Sequence, residues 1–132
     1  MYHPKMVEWD NRMKAMFDRI DSVLEDRYGG RWKLRRNRPG RGKTANPDAS
    51  GLFNVGTFFD PGYGTELGRG YLVEIIIATE EEVPEEIEEE IRQFVKELLE
   101  RMLPQFFPER RLSVGREGTM YKIYGDLRLG EI

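Results

Sequence analysis

Gly51–Thr79 reads GLFNVGTFFDPGYGTELGRGYLVEIIIAT, and this stretch decides the fold. Its last part, Tyr71–Ala78, is the most apolar run in the chain and is rich in the β-branched residues that suit a buried strand. Its first part, Leu52–Phe59, alternates. Phe53, Val55, Thr57 and Phe59 share one face of a strand, while Leu52, Asn54, Gly56 and Phe58 share the other. The connection, residues 61–70, holds Gly62, Gly64, Gly68 and Gly70, so the two runs predict a hairpin with a long glycine-rich loop.

Two amphipathic helices flank this hairpin in sequence. From Pro4 to Arg27, apolar residues at Met6, Trp9, Met13, Met16, Phe17, Ile20, Val23 and Leu24 recur at three- and four-residue steps, and Gly29-Gly30 supplies the stop. From Pro84 to Leu103, Ile87, Ile91, Phe94, Val95, Leu98, Leu99 and Met102 draw a second stripe. Pro104 and Pro108 bracket the expected exit from that helix. Beyond it, Arg111–Val114 and Met120–Leu127 read as strands joined by a turn at residues 115–118.

The order α-β-β-α-β-β is that of a ferredoxin-like βαββαβ sandwich with its first strand moved to the end. A right-handed crossover through the second helix then predicts sheet order 3-4-2-1, mainly antiparallel, with both helices on one face. The fold class is a two-layer α+β sandwich. Its 132 residues suffice for one domain, burying roughly two thirds of the unfolded surface.

Composition removes several functions. With no cysteine, disulfides, thiolate metal sites and cysteine nucleophiles are excluded. The N-terminal stretch lacks the apolar core of a signal peptide, and no run approaches the ~20 apolar residues of a membrane span, so a cytoplasmic location is the default. Gly42-Lys43-Thr44 resembles the end of a phosphate-binding P-loop. Asn37 stands where that motif needs glycine, and Pro47 breaks the helix that should follow. The glycines at 62–70 lead into a strand, so they offer no helix N-terminus to a dinucleotide. His3, the only histidine, has no partner in sight, and Ser22, Ser50 and Ser113 lack a nucleophile context. No metal ligand set and no cofactor motif is expected.

The net charge of −3 hides two blocks. Residues 31–43 carry seven bases and no acid, whereas residues 80–90 carry eight glutamates and no base. The acidic block suits the positive end of the second helix dipole. The basic block sits in a long Gly/Pro-bearing loop, residues 31–50, and predicts a binding module that accepts phosphate or nucleic acid. Arg35, Arg36, Arg38, Arg41 and Lys43 would supply charge, joined by Tyr63, Glu66 and Arg69 from the hairpin loop into one surface. Two other classes stay open. Glu66, Asp126 and Arg69 with Tyr63 would line a small-molecule enzyme pocket, whereas Asp60, Glu66 and Asp126 read more readily as turn residues than as a carboxylate pair or hard-metal site.

A homodimer is the third class. On the sheet face turned away from the helices, Leu72, Ile76, Met120 and Tyr124 surround an expected cross-strand pair, Glu74 with Lys122. So apolar a patch predicts burial in a symmetric dimer or under Trp32 and Leu34 of the long loop.

Overall fold

Helix α1 spans Pro4–Tyr28 and turns Trp9, Met13, Met16, Phe17, Ile20 and Leu24 inward, each less than a tenth exposed. The structure, a computed structural model, describes residues 4–127; His3 lies outside them. Strand β1 is Phe53–Asp60, β2 is Gly70–Ile77, α2 is Glu85–Phe106, β3 is Leu112–Glu117 and β4 is Met120–Gly125. The sheet runs β1-β2-β4-β3 with every neighbouring pair antiparallel, so β2 and β4 lie in the middle as the sequence order requires.

Both helices cover one sheet face and run antiparallel to each other. Trp9, early in α1, stacks at 4.5 Å on Phe107 just past α2, while Tyr28 at the end of α1 meets Phe94 at 6.3 Å and donates to Glu90 at 2.7 Å. Beneath them Phe53, Val55, Val73, Tyr121 and Ile123 are buried on one set of alternate strand positions.

The largest differences from the expected boundaries are at the ends of α2, β3 and β4, the last stopping at Gly125 instead of Leu127. Helix α2 continues through Pro104 to Phe106, because a proline this close to the end removes a single i→i−4 bond, and Phe107 N–H still closes on Leu103 C=O at 2.8 Å. Strand β3 continues through Gly115 and Arg116 to Glu117, leaving only Gly118-Thr119 as the turn before β4.

The α1 face also holds a carboxylate that periodicity did not flag. Glu25 is 7% exposed and accepts the N–H groups of Leu52 and Phe53 through one oxygen, the latter at 3.0 Å. These are donors at the start of β1 that would otherwise be buried without partners. Glu25 therefore fixes where the sheet begins against the helix.

Candidate functional site

Strand β2 is longer than its inner neighbour. It pairs with β1 along its full length, Phe53 opposite Ile77 to Asp60 opposite Gly70, but with β4 only from Gly70 to Val73. Pairing with β4 stops at Val73 although Met120, the first residue of β4, stands opposite Glu74, and Ile75–Ile77 run on past it for about 10 Å. The first half of β2 is thus a central strand and the second half an edge. Ala78 N–H bonds to Leu52 C=O on the β1 side at 2.6 Å. Strand alternation then turns the N–H and C=O of Ile75 and the N–H of Ile77 toward the open side. The C=O of Ile77 is taken by Thr79 N–H at 2.8 Å.

This open edge forms the floor of a groove of about 1040 Å³. One wall is Thr79 with Glu81–Glu85 and the first turns of α2; the end is closed by Thr119 and Met120 at the β3–β4 turn. Val83, Ile91 and Tyr121 give it an apolar lining. Five glutamates line it, Glu74, Glu81, Glu82, Glu85 and Glu88, together with Arg92, and the Glu81 carboxylate accepts the Lys33 N–H. The Arg92 guanidinium is already engaged, at 2.8 Å from Glu85, 3.7 Å from Glu88 and 2.8 Å from Glu89. Hydrogen bonds from Arg116 and then from Arg92 hold the Glu89 carboxyl down at about 2.

At the opposite end of β2, Lys122 sits at the centre of a small polar lock. Its side chain is fully buried on the sheet face away from the helices. Its Nζ lies 2.8 Å from Asp60, 3.2 Å from Glu117 and 2.8 Å from the Gly68 carbonyl. To reach Asp60 on β1 it must cross β2, and it does so over Gly70, where a β-carbon would stand 2.8 Å from Lys122 Cγ. Burial pulls the ammonium down, but its bonds to Asp60 and Glu117 outweigh this and hold it above the usual lysine value. The same bond from Lys122, with the Gly62 N–H, lowers Asp60. The lock pins the loop between β1 and β2, and Leu67 from that loop lies over Gly115, 2.7 Å from where a β-carbon would be.

This geometry revises several expectations. The Glu74–Lys122 pair is absent, because the register sets Lys122 opposite Leu72 and its ammonium turns to Asp60 and Glu117, leaving Glu74 exposed. The basic loop and the hairpin loop do not build one surface, since they leave opposite ends of the β1–β2 ladder. Within the basic loop, Arg38 donates to the carbonyls of Gly51, Ser50 and Phe53 at 3.0, 3.1 and 3.0 Å, closing the loop onto the start of β1. Arg41 pairs with Asp26 at 2.9 Å, and Leu34 bridges Thr79. Arg35, Arg36 and Lys43 stay exposed. Trp32 and Leu34 pack on the main core, and part of the open sheet face is covered by Leu67 instead.

Tyr63 is 89% exposed, and Glu66 and Arg69 are exposed on the same loop. Arg69 and Asp126 share a shallow depression of about 500 Å³ with Glu109 and Arg111, which Glu66 and Tyr63 do not line. Asp60, Glu66 and Asp126 do not meet as a metal site; among the described residues no group of three or more histidines or carboxylates is placed to hold one. Leu72, Ile76, Met120 and Tyr124 lie on the open sheet face, each partly buried. The groove beside β2 was not foreseen. Its signal is in the sequence only as an apolar strand leading straight into eight glutamates, a run that reads equally well as a helix start.

A family model described as "Uncharacterised protein" matches residues 4–125, from α1 to the end of β4. The chain belongs to that family. It is also similar to an uncharacterized protein of Borreliella burgdorferi, 38% identical over 121 residues that cover 92% of this chain and 94% of that protein. No solved structure gives a significant match. The family description names no activity, so the reading of function rests on the groove. Among the described residues no helix is long and apolar enough to cross a membrane.

Proposed function

We propose that this family member is a non-catalytic binding module that receives a short extended polypeptide segment in the groove beside β2. The observation that carries the reading is the three-residue overhang of β2, Ile75–Ile77, past β4, which leaves main-chain donors and an acceptor facing the groove. An added strand would continue the line of β4 antiparallel to β2, with side chains alternating between the apolar lining and solvent. Catalysis is disfavoured by the character of the carboxylates there: Glu74, Glu81, Glu82 and Glu85 are exposed, not desolvated beside a reacting centre.

The experiment is amide hydrogen exchange on the free protein, followed by selection from a displayed library of random peptides. Ile75 and Ile77 should exchange far faster than Val73, and selected peptides should protect them. Thr119→Trp, at an exposed position on the groove's end wall, should abolish capture. Ile75 and Ile77 as protected as Val73 in the free monomer, or peptides that bind Thr119→Trp equally well, would overturn the reading.

A second reading keeps the anion contact of the long loop, now confined to Arg35, Arg36 and Lys43, because of the five loop bases expected to bind an anion these stand exposed without the pairings of Arg38 and Arg41. Titration of single- and double-stranded nucleic acid at low salt tests it. No detectable binding there removes nucleic acid as a ligand.

A further inference from the structure

We infer that the segment received beside β2 is basic: an extended stretch in which lysine or arginine alternates with apolar residues. This rests on the strand-addition reading and specifies its partner.

Three features point to that chemistry. The backbone edge offers bonds at Ile75 and Ile77, two residues apart, so only a guest in extended conformation can satisfy both. On the helix side of such a guest lie Val83, Ile91 and Tyr121, which suit an apolar side chain at every second position. The intervening positions turn to the open sheet face, where Glu74 stands, and Glu81 and Glu82 on the wall with Glu85 and Glu88 at the start of α2 add negative charge around the groove, while Arg92 is spent on the helix carboxylates. An acidic guest would add like charge to this wall, and a neutral one would leave it unbalanced. Arginine or lysine in the guest complements it at short range.

The test uses three synthetic hexapeptides, blocked at both ends: valine alternating with arginine, with threonine and with glutamate. Each is titrated into the labelled protein while the amide resonances of Ile75 and Ile77 are followed. The arginine peptide should shift both amides and bind at least about tenfold more tightly than the threonine peptide. Its affinity should weaken by about tenfold or more between about 0.01 M and 1 M salt, over which the screening length falls from ~30 to ~3 Å. The double variant Glu74→Lys with Glu82→Lys changes two exposed residues and should invert the preference toward the glutamate peptide. If threonine or glutamate peptides shift Ile75 and Ile77 as strongly as the arginine peptide, the groove takes a strand but the basic partner is wrong. If no peptide moves these amides, strand addition fails and the inference falls with it. Binding of the arginine peptide that maps to the outer face of α2 instead also overturns it.

Discussion

Replacing Glu25 by alanine tests the account of how the sheet is anchored to α1. One carboxylate oxygen accepts both the Leu52 and the Phe53 N–H, and those residues are 1% and 0% exposed. Each buried donor left unpaired costs about 1–3 kcal/mol, so two sharing one acceptor should together cost about 3 kcal/mol. Against a typical domain stability of about 5–15 kcal/mol this is a large fraction. Thermal unfolding should move down by about 10 °C for a chain of this size. Urea unfolding followed by circular dichroism measures the free energy directly. Glu25→Gln keeps an oxygen acceptor on the same stem and should recover half of the loss or more. A Glu25→Ala protein within about 0.5 kcal/mol of the parent would refute the reasoning, as would a glutamine variant no better than alanine.

Lys122→Met leaves Asp60 and Glu117 without their shared cation and the Gly68 carbonyl without its donor, so hydrogen exchange in residues 61–69 should rise while that of α1 and α2 stays near the parent's; unchanged exchange in the loop would count against the lock. Glu89 is held at about 2 against its usual 4.5, so its contribution to stability is complete above about 4.5 and lost as the pH falls toward 2. Arg116→Gln should flatten that part of the urea-midpoint profile, and an ordinary titration of Glu89 in the parent would contradict the pairing. We further propose that the open sheet face around Leu72, Ile76, Met120 and Tyr124 mediates a symmetric dimer. Light scattering should then give twice the chain mass, falling to the chain mass in a folded Ile76→Asp variant, whereas a parent that is already monomeric excludes it.

The sequence made the architecture readable where one periodicity dominated. The β-branched run after Tyr71, the two helical stripes and the order of elements lead to the observed sheet order without ambiguity. Errors arose where one residue type serves two purposes. Gly115 reads as part of a turn, yet it lies inside β3 because Leu67 needs the space above it. Gly70 reads as loop, yet it is the gap through which Lys122 reaches Asp60. The arginines of the long loop looked available to a ligand because sequence shows charge but not the backbone carbonyls that Arg38 satisfies. The groove was the least legible feature of all. It exists because β2 and β4 differ in paired length, and that difference is a property of register, set by the Gly118-Thr119 turn and not by any residue in the groove itself.

The split character of β2 has a consequence for the protein in bulk. Ile75-Ile76-Ile77 is a β-branched edge of the kind that pairs readily with a copy of itself and seeds sheet-to-sheet aggregation. Two such edges cannot approach without bringing two sets of glutamates together, Glu74, Glu81, Glu82 and their neighbours on each side. The acidic rim thus acts as a gatekeeper against edge-to-edge pairing of identical molecules. Concentrated salt lowers that barrier, so colloidal stability of this protein should decline as ionic strength rises.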